Sequence, residues 1–504
     1  MTMNDVAPAR ATRRQWRGLW VLAVALGMIV LDGTIVGVAL PQIVQGLHLD
    51  LTDAQWVNSL YSVVFAALLL VMGRAGDRHG RRRLLLVGLV LFLAGSVLAA
   101  GAGSVTALLV ARAVQGVGGA MVLPATLSTV SATFRGPDRP AAFGIWGAVM
   151  SGAAAIGPLL GGWLTDVASW PWIFWVNVPV GLAVIVGTSI LVDETRSDEL
   201  DHGIDLLGTV LSAAGFGLTV FGIIEGSDLG WWTPKQPLHL LGLTWPTTAT
   251  VSAAPVAILL GLLLVAAFVL REARQRARGH VTVLDVGLFR LPSFALGNLT
   301  ATLVAAGEFA LVFVLPLFLV TALRLTMMQA GLVLAAMAVG AFLSGASARH
   351  LSARMGPTRV VVLGLALEVL GAAATALAVG ASASAWVVAA CLVPYGLGLG
   401  LASAQLTSTT LRDVPPASSG AGSATQSTVR QLGSALGSAL GGLMLSTFLG
   451  TSGRGGAFGA DPATFAHAAS AAVWAASAIL LVALGLSVAL DRAARRPGAD
   501  ATAA

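Results

Sequence analysis

The feature that most constrains this chain is a succession of apolar stretches, each about twenty residues long, that leaves little polar sequence between positions 18 and 490. In lipid every backbone N–H and C=O must be satisfied within the spanning structure, and a single continuous segment can do that only as a helix. Spans are predicted at 18–41, 54–72, 84–101, 104–134, 141–165, 172–192, 205–225, 251–270, 293–320, 329–347, 359–380, 385–411, 418–449 and 465–490, fourteen in all. Only 10% of residues are charged and 56% are hydrophobic, against about a quarter charged in soluble domains. The expected fold class is therefore an all-α polytopic membrane protein.

The charges that remain are concentrated in the breaks. The densest is GRAGDRHGRRR, residues 73–83, with arginines at 74, 78, 81, 82 and 83. Lys- and Arg-rich loops stay in the cytoplasm, which fixes the direction of the spans around it. Counted against the fourteen spans, all basic residues fall on that side except Lys235, Arg324 and Arg454, together with Arg112 and Arg430 inside spans. Both termini are thus expected in the cytoplasm. The arginine and alanine bias suggests a bacterial source, so the expected location is the cytoplasmic membrane.

The same residues exclude other classes. The net charge is +6, but the basic residues lie in short loops between spans, so a nucleic-acid partner is not expected. Lys235, the single lysine, is flanked by Pro234 and Gln236, and a phosphate-binding Walker loop needs Lys followed by Ser or Thr. No ATP-driven pump is encoded. No zinc-protease or serine-hydrolase motif and no His/Cys cluster occurs, so an enzyme and a metal site are not expected. The one cysteine, Cys391, forms no internal disulfide.

A weak internal repeat divides the chain. Asp77-Arg78-His79-Gly80 has a degraded counterpart in Ala353-Arg354-Met355-Gly356, and Asp32 before Leu40-Pro41 has one in Glu308 before Leu315-Pro316. This puts the ninth span in register with the first. The organisation expected is a flank 1–17, an N-lobe 18–192, an acidic loop 193–204, two inserted helices 205–270, a basic linker 271–292, a C-lobe 293–490 and a tail 491–504. Parallel repeats with a site at their midplane junction are a secondary-transporter design.

Several segments carry a family resemblance. Residues 73–83 resemble the signature between the second and third helices of the major facilitator superfamily. Residues 31–41, LDGTIVGVALP, resemble the first-helix signature of its fourteen-helix drug:proton antiporter branch. Arg112, Gln115 and Gly116 match the fourth-helix signature. Gly147, Gly152, Gly157-Pro158 and Gly161-Gly162 resemble the fifth-helix antiporter motif, and WIFWVNVPVG, residues 172–181, resembles the start of the sixth helix. Pro171 stands where the branch usually has a basic residue, and Ala353 replaces the Asp of the second-lobe loop. The resemblance implies a fold of two six-helix lobes plus two inserted helices. It implies proton-driven export of hydrophobic, cationic or amphipathic small molecules by alternating access, with protons and the bilayer as partners, no cofactor beyond the proton motive force, and a monomer. An uptake symporter on the same fold is the alternative, and the fifth-helix motif argues against it.

Specific residues follow. Asp32 is a carboxylate inside a span, costly enough to be functional by default. At 1.5 Å per residue it lies about 15 Å from its helix end, and Arg112 about 12 Å from its own. The two are expected to pair, with proton or substrate altering the balance. Glu308, near mid-span, is the candidate second proton or cation site. Glu368 and Arg430 are secondary candidates. Gly73, Asp77, Arg78, Gly80 and Arg81 are expected to form a conformational latch, the glycines turning tightly and Asp77 accepting hydrogen bonds at a helix N-terminus. Gly433, Gly437 and Gly441 share the glycine spacing of the fifth-helix motif and are read as packing residues.

Overall fold

The computed structural model describes residues 11–134, 138–196, 206–240, 243–278, 284–415, 419–450 and 460–495. The helices are α1 (Arg13–Leu47), α2 (Leu51–His79), α3 (Arg81–Ala100), α4 (Val105–Thr133), α5 (Asp138–Val167), the short α6 (Trp172–Trp175), α7 (Asn177–Leu191), α8 (Leu206–Leu229), α9 (Ala253–Ala277), α10 (Pro292–Thr321), α11 (Met327–Met355), α12 (Pro357–Gly380), α13 (Ala385–Thr410), α14 (Ser419–Leu449) and α15 (Pro462–Arg495). Each span expected from the sequence coincides with one of these helices, α6 and α7 together making the sixth. Thr12, Asp50 and Thr326 open α1, α2 and α11 with reciprocal capping boxes to Gln15, Asp53 and Gln329, so short turns redirect the chain without leaving amides bare.

Among the described residues, twelve helical segments are long and apolar enough to cross a membrane. Helices α2 and α5, of 29 and 30 residues, pack among them. Polarity is inverted relative to a soluble protein: Val87, Leu182, Leu263 and Leu377 are exposed, whereas Asp32, Arg112 and Glu368 are sealed inside. An apolar exterior of this kind is stable only against lipid tails.

The packing repeats. Helix α1 lies along α5, α2 along α4, and α3 along α4; α10 lies along α14, α11 along α13, and α12 along α13. Adding nine to each index of the first set gives the second, as the register between the first and ninth spans predicts. Glycines set the closest crossings: a Cβ at Gly118 would sit 2.7 Å from the Gly88 oxygen, and one at Gly398 would sit 2.4 Å from the Gly364 oxygen. Small residues let backbones approach in this way. The two lobes meet along α5 with α11 and along α2 with α14, a pair of seams that the same repeat exchanges. Helices α8 and α9 pack on each other, and α8 touches both α2 and α14.

One expectation is corrected. Residues 73–83 do not form a glycine-turned loop: α2 runs to His79 and α3 begins at Arg81, so Gly80, at φ +108°, is the single break. Gly73 and Gly76 are helical, Gly73 approaching Pro124 of α4. The connection between α8 and α9 contains two antiparallel strands, β1 (Leu238–Leu240) and β2 (Leu243–Trp245). It is tied down by the Trp245 indole donating to the Val251 carbonyl at 3.0 Å. The expected acidic loop, basic linker and both terminal segments fall partly or wholly outside the described residues.

Candidate functional site

The N-lobe is organised around one buried carboxylate. Asp32 on α1 is fully buried and accepts three hydrogen bonds: Arg112 Nη1 at 2.6 Å on Oδ2, and Asn177 Nδ2 at 2.9 Å and Gln115 Nε2 at 3.1 Å on Oδ1. Both amides also donate to the Ser96 hydroxyl, at 2.9 and 3.2 Å. Arg112 donates further to Gln115 Oε1 at 2.9 Å and to the Val57 carbonyl, and its guanidinium lies 4.6 Å from the centre of the Tyr61 ring. Helices α1, α2, α3, α4 and α7 thus converge on one group. A buried ion pair is sustained only when its remaining lone pairs and protons are also satisfied, and here the amides do that for Asp32. The depth count from the sequence brought Asp32 and Arg112 to one level. It had no means of finding Ser96, Asn177 or Tyr61, because uncharged polar residues barely perturb hydropathy.

The C-lobe holds the other intramembrane charges. Arg430 on α14 reaches Glu308 on α10 at 3.8 Å, with side-chain exposures of 44% and 16%. This pair is looser and wetter than the N-lobe pair, and Glu308 Oε2 has no hydrogen-bond partner. Asp32, by contrast, is turned into its own lobe, its donors lying on α4 and α7. Glu368 on α12 is fully buried, behind Glu308 and Arg430. The acidic partner of Arg430 is thus Glu308 and not Glu368.

The fifth-helix glycines form a two-sided joint. A Cβ at Gly157 would lie 2.0 Å from Thr34 Oγ1, and one at Gly161 would lie 3.0 Å from the Ile35 side chain, both on α1. On the other side, a Cβ on Gly162 would lie 2.7 Å from the Met327 carbonyl oxygen, and one on Gly331 of α11 would lie 2.5 Å from the Pro158 carbonyl oxygen. Gly152 has nothing within 4 Å, and the surroundings of Gly147 lie outside what is described. Gly433, Gly437 and Gly441 face α10 carbonyls within their own lobe, consistent with packing.

At the arginine-rich end, hereafter the basic end, Gly80 is held against a residue the sequence did not single out. Glu194, just after α7, accepts from the backbone amides of Arg82 at 3.0 Å and Arg83 at 3.2 Å, the free N–H groups opening α3. A Cβ on Gly80 would sit 2.7 Å from that carboxyl carbon. Arg82 also donates to the Ser189 carbonyl. Arg78 is exposed, and the side chains of Arg74 and Asp77 lie outside those described. At the far end the lobes touch directly. Asp166 of α5 caps α11, Asn58 donates to Ser438 at 2.7 Å, and Gly37 lies against Val312. Asp166 could have been noticed as an acidic residue at one helix end opposite the start of another. Among the described residues no group of three metal-ligating side chains occurs.

Two repeated lobes, closed on each other at one end and carrying charged pairs at mid-span, define a membrane transporter. Residues 22–438 match the family described as Major Facilitator Superfamily, and the chain belongs to it. It is 31% identical, over 87% of its length and 74% of the other's, to the probable actinorhodin transporter of Streptomyces coelicolor. It is 33% identical, over 87% and 82%, to the multidrug efflux pump LfrA of Mycolicibacterium smegmatis. Its fold is similar to that of a bacterial homologue of the human lysosomal transporter Spinster, solved inward-facing and unoccupied, with a TM-score of 0.62 at 17% identity over 96% of this chain and 98% of that one.

Proposed function

We propose that this protein is a proton-driven antiporter that exports hydrophobic, cationic or amphipathic small molecules across a bacterial cytoplasmic membrane. The observation that carries this reading is the Glu308–Arg430 pair: a partly exposed, loosely bridged carboxylate midway along a mostly apolar helix. Its Oε2 has spare capacity, so a proton or a cationic substrate group can take the place of Arg430 at Glu308. Either event removes the other, which is the competition antiport requires. The sealed Asp32–Arg112 pair would serve as the N-lobe proton site, and similarity to efflux proteins supports outward transport. All fourteen helical spans are taken to cross the membrane, with the basic end and both termini in the cytoplasm.

Inside-out vesicles carrying the protein test this directly. Ethidium accumulation should require an imposed pH gradient and should vanish with Asp32→Asn or Glu308→Gln. Accumulation that is indifferent to the gradient, or movement in the uptake direction only, would overturn it.

A further inference from the structure

Glu368 is not explained by the exposed pair in front of it. It lies near the middle of α12, fully buried, and neither of its oxygens has a hydrogen-bond partner. The Tyr395 hydroxyl on α13 is likewise fully buried and without a partner. Glycines lock this place shut. A Cβ on Gly398 would sit 2.9 Å from Glu368 Cγ, and a Cβ on Gly371 would sit 2.4 Å from the Tyr395 backbone. The α12–α13 crossing is therefore backbone against backbone on either side of the carboxyl group. Among the described residues, the charged groups acting on Glu368 from neighbouring helices are Glu308 of α10 and Arg430 of α14, and Tyr395 is acted on by both carboxylates. Helices α11 and α15, which also pack on α12, carry their titratable residues only near their ends.

A charge buried with no partner carries a solvation cost that packing cannot offset. Arg430 does not meet that cost, because its guanidinium is turned to Glu308. The group that removes it is a proton on the carboxyl itself, and the carboxylate that acts on it from a neighbouring helix is Glu308, whose side chain is partly exposed.

We propose that Glu368 is the proton-carrying group of the C-lobe, and that Glu308 is the carboxylate through which its proton enters and leaves. Tyr395 positions that proton, as a buried hydroxyl able both to donate and to accept. The transporter then holds a proton-carrying group in each lobe: Asp32, hydrogen-bonded by Arg112, Gln115 and Asn177 in the closed far-end arrangement, and Glu368, which keeps its proton in the same arrangement. This rests on the antiport reading only where transport is concerned, since the proton on Glu368 is a property of the resting protein.

Infrared spectra of lipid-reconstituted protein, taken between about pH 5 and about pH 9, a range in which exposed carboxylates ionise, test it without any substrate. The wild type should show the C=O stretch of a buried carboxylic acid across that range. Glu368→Gln should lack it, and Tyr395→Phe should keep it at a displaced frequency, which also controls for a variant that fails to fold. A wild-type spectrum without that band would overturn the proposal. So would a band unaffected by either substitution. In vesicles, Glu368→Gln should lose gradient-driven ethidium accumulation to the level seen with the gradient collapsed. Wild-type vesicles that accumulate no ethidium would refute the antiport reading while leaving the infrared result to decide this one.

Discussion

Asp166 at the end of α5 receives the Met328 backbone N–H at 2.7 Å and the neighbouring Met327 N–H at 3.1 Å. A carboxylate of one lobe thereby caps the first turn of a helix in the other. Charged caps at helix starts stabilise by about 1 kcal/mol, and this one exists only while the far end is closed. Asp166→Asn should shift the closed-to-open population by roughly fivefold toward opening, about 1 kcal/mol at 1.4 kcal/mol per tenfold. Distances between spin labels on the α5 and α11 ends would show it.

The N-lobe ion pair is expected to be unforgiving to half-removal. Asp32→Asn leaves Arg112 charged and buried without a counter-charge and replaces one of the two acceptor oxygens with a donor, at a cost of about 3–5 kcal/mol. Replacing both Asp32 and Arg112 with Leu should be less destabilising than either single Leu substitution. Denaturation of the four proteins in micelles, treated as a double-mutant cycle, measures the coupling.

Gly80 should not tolerate a side chain. At φ +108° an L-residue is strained by about 1–3 kcal/mol, and a Cβ there displaces the Glu194 carboxylate from the start of α3. Gly80→Ala should lower stability more than Glu194→Gln, which retains an acceptor. Melting temperatures of the two variants decide between this and a purely electrostatic role for Glu194.

Within α5, the glycines should divide by what they touch. Gly157→Ala overpacks against Thr34, at about 1–3 kcal/mol, and Thr34→Ala should recover part of that loss by removing the nearest atom. Gly152→Ala meets nothing within 4 Å and should leave stability and transport unchanged. Equal effects at both positions would mean that helix propensity, not contact, governs the motif.

How much of this was legible in the sequence varies with the kind of signal. Span positions were readable because hydropathy is a property of whole segments, and the Asp32–Arg112 level was readable because helical rise converts residue counts to depth. Asn177 and Ser96 were not, because an amide or a hydroxyl reveals its importance only through what it faces. The basic segment was read as a loop because five arginines and three glycines mimic a turn, whereas the helix needs only one residue, Gly80, to reverse. Tyr395 was hidden for the reason that makes it informative: its ring belongs to the apolar core, and only its oxygen is out of place.

Helix α8 rests on α2 and α14 together, with Trp56 donating to Glu225 at 2.9 Å and Thr52 to Asp228 at 2.9 Å. It therefore roofs one seam between the lobes, while the α5–α11 seam has no such cover among the described helices. The molecule has two unlike flanks. A solute already dissolved in the bilayer meets a shuttered side and an unshuttered one, so any sideways passage between lipid and the interior is one-sided by construction.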